Sequence, residues 1–344
     1  MNFPHITPLD TQAMNEARTL IDGKVKPPGS LGALEDIAIQ LAGITGRAHN
    51  AFTRKVICLF GADNGIYEEG VCSSPQDFTR RLMHVYAERQ DGGINVLARQ
   101  ARAELRLYDL GVKGLAPHRN IITRKFLPDG TANFLHGRAM TAELTEEVIA
   151  LGVDVVRELK SEGADVIGTG EVGMGNTTTA CACIMAATGS RDVSLVGRGA
   201  GLDDEGLARK RKVILEALAF HATNLTDPMN ILSCVGGLDI AAITGVFLGG
   251  AIYRVPVLVD GVISIAGALL ASQLEPLARM FMLASHKSPE PAFMHAAKFL
   301  NLKPSLKLGM RLGEGTGGAV MMQIIDDALA IINGMGDFVS LKGE

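Results

Sequence analysis

Two glutamates set among glycines are the residues best placed for chemistry. Glu314 stands in LGEGTGGA, residues 312–319, with Leu312, Gly313 and Gly315 around it and no second charge in the run. A carboxyl with apolar and backbone neighbours loses hydration, which raises its pKa toward the working range of a general base. The same residue could equally be a capping acid at a helix start. Glu171 lies in ADVIGTGEVGMGNTTTA, residues 164–180, which begins as a buried strand, runs through glycines and ends as the cap and first turn of a helix. Exposed N–H groups and a positive dipole end make such a stretch a phosphate seat. An acid inside the seat would repel a pyrophosphate, so Glu171 suggests that a hydroxyl or a cationic ring is held there too.

Three other places carry chemical groups at strand ends or helix starts. In GRGAGLDDEGLARKRK, residues 197–212, glycines precede three acids favoured at a helix start, and a cation one or two turns on, Lys210, could fold over to a phosphate. A solvated helix face is the plainer reading of that basic run. Asp260 ends the strand RVPVLVDG, where an acid meets ribose hydroxyls or another loop. Asp63 and Asn64 follow a β-branched run in GADNG, as functional groups or as turn chemistry, and His286 ends a later strand.

The elements that must hold these groups alternate strand and helix. Strands are expected at KVICLF, LRLYDLGV, ADVIG, RVPVLVDG and RMFMLAS, with SLKLG as a further strand or extended run. That rhythm predicts an α/β fold: a Rossmann-like parallel sheet of about six strands, helices on both faces, ligand at the carboxyl edge. Two helical patterns before residue 50 are separated by GKVKPPGS, whose Pro27 and Pro28 forbid one continuous helix while Gly29 and Ser30 cap the next. Residues 1–50, with the carboxyl end from about 325 to 344, are expected to form a small helical domain beside a large nucleotide-binding domain over 51–324. The stretch from Lys113 to about Met140 reads as a long connection over the active face. A helix over TAELTEEVIALGVDVVRELKSEG, capped by Thr141, leads to the central strand.

Composition narrows the partners. The chain has 344 residues, 47% hydrophobic and 20% charged, with formal net charge -4 and no long basic block, which argues for a small-molecule partner and against nucleic acid. Five scattered cysteines with no CxxC spacing read as reduced thiols, so zinc and disulfides are not expected. The amino-terminal residues are polar and acidic where a signal peptide would be apolar, which points to the cytoplasm. Residues 231–253 are long and apolar enough to imitate a membrane span, but Asp239 and five glycines favour a helix buried in the protein.

Four strings in order, KPPGSLG (residues 26–32), GEVGMGNTT (170–178), GRGAGLDDEGL (197–207) and LGEGTGGA (312–319), together resemble the nicotinate-nucleotide:dimethylbenzimidazole phosphoribosyltransferase family over nearly the whole chain. The resemblance implies transfer of the phosphoribosyl group of nicotinate mononucleotide to a cobamide lower-ligand base, with inversion to an α-ribotide and release of nicotinate. It assigns proton removal to Glu314 and a place beside the ribotide to Glu171. The phosphate and ribose grip carries over to Gly173, Gly175, Asn176 and Thr177, to Gly199, Ala200 and Gly201, and to Lys210, Asp260 and Ser288. Ser74, Arg81 and Leu312 are expected at the acceptor pocket. No acidic pair followed by a Thr/Gly-rich loop marks a magnesium-pyrophosphate site, so neither metal nor cofactor is expected.

The chain departs from the family pattern with ADNG at residues 62–65 for ADHG, and with Arg81 where a glutamine aligns. Some relatives act on phenol or p-cresol as pairs of dissimilar subunits, so the acceptor is a benzimidazole or a phenol, and the assembly a homodimer or a heterodimer. Two other readings remain open. Gly168, Gly170 and Gly173 match the GxGxxG of a nicotinamide-dinucleotide oxidoreductase, although no acid stands at the required strand end. A catalytically silent paralogous subunit is the second.

Overall fold

Residues 55–62, KVICLFGA, are buried along their whole length, and a strand hidden on both faces belongs in the middle of a parallel sheet. In the computed structural model, which describes residues 4–338, this strand, β1 (Lys55–Ala62), is central. The others are β2 (Ala103–Gly111), β3 (Ile121–Thr123), β4 (Val166–Val172), β5 (Val257–Val259) and β6 (Met282–Ala284). All pairings are parallel, in the order β3-β2-β1-β4-β5-β6. From β1 the chain builds outward on one side and then on the other, so β1 and β4 flank the point where the order reverses. The crevice outside their carboxyl ends is where such sheets bind ligands.

Twelve α-helices accompany the sheet among the described residues: α1 (Thr11–Asp22), α2 (Ala33–Thr45), α3 (Phe78–His84), α4 (Gly93–Gln100), α5 (Ala142–Ser161), α6 (Asn176–Ala187), α7 (Asp204–Phe220), α8 (Pro228–Val235), α9 (Leu238–Ile252), α10 (Val262–Leu274), α11 (Pro291–Leu300) and α12 (Thr316–Gly334). The two-residue period of β4 sorts its neighbours. Gly168 and Gly170 face α12 and the loop before it, where a Cβ on Gly168 would lie 3.3 Å from Met322 and one on Gly170 would lie 2.6 Å from the Glu314 carbonyl oxygen. Thr169, between them, turns the other way and meets Ser264 of α10 at 2.6 Å. Helix α9 packs on α5, α10 and the sheet, and α12 packs on the sheet, α2 and α4.

Several expectations need correction here. Residues 231–253 do not form one helix. They are α8 and α9, separated at Gly236–Gly237, where a Cβ on Gly236 would collide with the backbone of Leu232. Among the described residues no helix is long and apolar enough to cross a membrane. SLKLG forms no strand, only a bridge from Leu306 to His286, and the sixth strand is instead β3, inside what reads as an irregular connection. That connection touches the carboxyl edge through the Asn64–Thr131 bridge but supplies no wall of the cavity described below. Before α2 the cap position is Gly32, and Glu35 satisfies the Leu31 N–H at 2.9 Å, so Gly29 and Ser30 do not cap it. Thr141 caps α5 as expected, accepting from Leu144 N–H at 3.1 Å. The expected small helical domain includes residues 1–3 and 339–344, which lie outside the described residues. Of its described part, α1 packs on α2, α12 packs on both, and Lys24 bridges to Asp337.

Candidate active site

The loop before α12 holds Glu314 in an uncommon backbone conformation. Gly313, Glu314 and Gly315 have φ of 80°, 61° and 84°, three left-handed residues in a row, of which only the glutamate carries a Cβ. Asp260 fixes this loop from beneath. Its carboxylate accepts from Gly315 N–H at 3.0 Å, Gly317 N–H at 2.6 Å and Gly318 N–H at 3.3 Å, serving the start of α12. Asp260 therefore meets another loop and is not among the residues that line the cavity described below.

Glu314 is 8% exposed, and its Oε2 is buried with no hydrogen-bond partner at regular geometry among the described residues. Burial is the largest influence on its carboxyl and pushes the pKa up; the Tyr86 hydroxyl and the Ile94 N–H pull it down, and the charge of Asp260 pushes it up again. Glu171, on β4, lies directly beside this loop. Its Oε1 accepts from the Glu314 N–H at 3.3 Å, and its Oε2 makes a very short contact with the Asn176 amide. Burial first, then the charges of Asp239 and Asp260, drive the Glu171 carboxyl well above the usual range. Asp239, 3.3 Å from the same Asn176 amide, is pushed up to about 6, again chiefly by burial.

Both glutamates line one open cavity of about 190 Å³ at the carboxyl end of β4. Its floor is Val172, Gly173, Met174, Asn176 and Thr177, the end of β4 and the first turn of α6. Met174 is pinned by a relay: its N–H donates to Thr79 Oγ1 at 3.0 Å, and Thr79 donates to Asp63 at 2.7 Å. Gly175 lies beneath this floor at φ 94°, against Asn64. The Thr177 N–H has no backbone acceptor among the described residues, as expected in a first helical turn.

Lys210 reaches this turn from α7. It is fully buried, its Nζ donates to Thr177 Oγ1 at 2.9 Å, and burial lowers its pKa. The plain reading of its basic run as a solvated face fails for Lys210, while Arg209 and Lys212 are exposed. Gly199 and Ala200 also face the cavity, and Gly199 N–H donates to Glu290 at 2.9 Å. Gly201 lies outside it, as does Lys210 apart from its tip's contact with Thr177. Ser288 and His286 line the wall next to Glu290.

Of the expected acceptor residues, Ser74 and Leu312 line the cavity and Arg81 does not. Arg81 points to solvent and pairs with Asp77 at 2.6 Å, so the helix presents Phe78 and Leu82, one turn apart, to the cavity instead. Sequence reasoning missed Phe78, Leu82, Glu290 and Tyr86. The i,i+4 apolar pair in α3 was the available signal for the first two. The GxGxxG reading fails as well: Gly168 and Gly170 lie inside β4, where they admit α12 and its loop, and only Gly173 stands in the turn.

At one crevice the parallel sheet brings together an amide-lined helix start, a buried lysine and a desolvated carboxylate. The family model described as phosphoribosyltransferase matches residues 6–341. The nicotinate-nucleotide–dimethylbenzimidazole phosphoribosyltransferase of Clostridium acetobutylicum is 42% identical over 98% of this chain and 96% of its own. The protein of that name from Chloroflexus aggregans is 42% identical over 97% and 94%. A crystal structure of the Thermus thermophilus protein of the same name superposes with a TM-score of 0.91 at 35% identity, covering 98% of this chain and 99% of the other. The chain belongs to the nicotinate-nucleotide–dimethylbenzimidazole phosphoribosyltransferase family and is a pentosyltransferase.

Proposed function

We propose that the chain transfers the phosphoribosyl group of nicotinate mononucleotide to an aromatic lower-ligand base, with inversion at the anomeric carbon. The observation that carries this reading is the buried, unpartnered Glu314 Oε2 in the same cavity as the Thr177–Lys210 seat. A neutral azole or phenol is a weak nucleophile until its proton is removed. Glu314 takes that proton, the acceptor nitrogen or oxygen bonds to the anomeric carbon, and the bond from that carbon to the nicotinate ring nitrogen breaks. The leaving ring keeps the electron pair and departs without the positive charge on its nitrogen.

In this reading the ribotide phosphate lies against the α6 start, near Gly173 to Thr177, Gly199, Ala200, Lys210 and Ser288. Glu171, oriented by Asn176, faces the ribotide in this reading. Phe78, Leu82 and Leu312 supply apolar wall, which suits a flat acceptor with a single acidic N–H or O–H. That wall supports a phenol as well as a benzimidazole. The reading includes a cytoplasmic dimer, of identical or dissimilar subunits, in which α1, α2 and the end of α12 form a small helical domain beside the catalytic one.

Purified protein incubated with nicotinate mononucleotide and either dimethylbenzimidazole or phenol is expected to yield the corresponding ribotide and nicotinate by mass spectrometry. No ribotide from either acceptor, alone or with a paralogous subunit, removes the enzymatic reading.

A further inference from the structure

Behind the Glu314 carboxylate lies a second buried polar atom that the reaction scheme above does not use. Tyr86, in the π-turn Val85–Arg89 that continues α3, is 2% exposed, and its hydroxyl makes no regular hydrogen bond among the described residues. A buried hydroxyl without a partner is costly, on the order of 1–3 kcal/mol, and such groups call for a specific reason. The ring is held from two sides. A Cβ on Gly92 would lie 2.8 Å from it, so only glycine lets the start of α4 close on the ring, and Asn95 donates to the Tyr86 carbonyl at 3.0 Å. The adjacent Gly93 brings the same helix start to Glu314: a Cβ there would lie 4.0 Å from Glu314 Oε2. Tyr86, the α4 start and the unpartnered carboxylate oxygen thus form one cluster.

We propose that Tyr86 is a positioning residue for the base: its hydroxyl donates to the Glu314 carboxylate and sets which oxygen meets the acceptor. The inference rests on Glu314 being the base of the proposed transfer. Four groups face Glu314 from the elements packed around it: Tyr86 from the α3 extension, the Ile94 N–H from α4, Asp260 from the end of β5 and Glu171 from β4. Burial and the charge of Asp260 oppose ionisation of Glu314, and Tyr86 and Ile94 favour it. Burial, then the Glu314 charge, drives the Tyr86 hydroxyl far above its ordinary value, so Tyr86 keeps a proton to donate.

The test is the pH profile of kcat/KM for ribotide formation in the full-length protein and in Tyr86→Phe. A hydrogen bond to a carboxylate, once lost, raises the folded pKa, and a base with a raised pKa loses activity first at low pH. The acid limb is expected to move up by about half to one pH unit, with activity reduced several-fold at acidic pH, near the parent's at alkaline pH, and an unchanged KM for nicotinate mononucleotide. Site-specific replacement of Tyr86 by 3-fluorotyrosine, a stronger donor of nearly the same shape, is expected to move the limb the opposite way and keeps the test open if the phenylalanine variant misfolds. An acid limb that stays in place in either folded variant overturns the proposal. Absence of ribotide from the parent protein at every pH contradicts the proposed transfer instead.

Discussion

Glu314 keeps its left-handed backbone because everything around it is fixed. Gly313 and Gly315 share the conformation at no steric cost, Asp260 ties down the N–H groups that follow, and β4 lies directly beneath. A residue held in a conformation that costs on the order of 1–3 kcal/mol is a residue whose direction matters. Glu314→Gln keeps the shape and removes the basicity, so turnover is expected to fall by about two to four powers of ten while binding of nicotinate mononucleotide, measured by calorimetry, changes little. Unchanged turnover would make the residue a structural acid. The charge-poor glycine setting of Glu314 and Glu171 was legible in the sequence, because a short run of neighbours already decides how dry a carboxyl will be. Tyr86 and Glu290 were not, since the atoms they face come from parts of the chain far away in sequence. Arg81 pairs with Asp77 away from the cavity, and its direction could not be read in advance because neighbouring positions on a short helix point in different directions.

At the scale of elements, the site depends on how closely α12 approaches β4. Gly170 has no side chain where the loop of Glu314 crosses the strand, and a Cβ there would lie 2.6 Å from a backbone oxygen that cannot swing aside. Gly170→Ala is therefore expected to push the Glu314 loop outward. Stability should fall by about 1–3 kcal/mol, as overpacking does, read from denaturant midpoints, and kcat should fall at least tenfold because an ångström of misplacement is expensive in catalysis. An alanine variant with both the parent's stability and its kcat would mean that the contact is slack. The buried strands β1 and β4 were readable from their apolar runs. The three-residue β3 was not, because so short an edge strand leaves almost no pattern. Nor could the break between α8 and α9 be placed from hydropathy, since both sides are equally apolar and the Gly236–Gly237 turn is set by local crowding.

Across the whole molecule, the strand order does the gathering. Residues as far apart as Ser74, Glu171, Lys210 and Glu314 meet because β1 and β4 are neighbours whose outgoing loops diverge, and because α7 and α12 both return to that crevice. The α/β class and the approximate number of strands followed from the alternation of elements, but the route of the chain after β3 did not, since nothing in a strand's own residues says which neighbour it will take. The central claim is spatial: one carboxylate and one phosphate seat serve the same pair of substrates. A crystal structure of Glu314→Gln with nicotinate mononucleotide and the acceptor bound tests it most directly. The account predicts the acceptor's N–H or O–H within about 3 Å of the residue 314 side chain, with the phosphate at Thr177 and Lys210. An acceptor bound out of reach of residue 314, or a phosphate seated away from the α6 start, would contradict it.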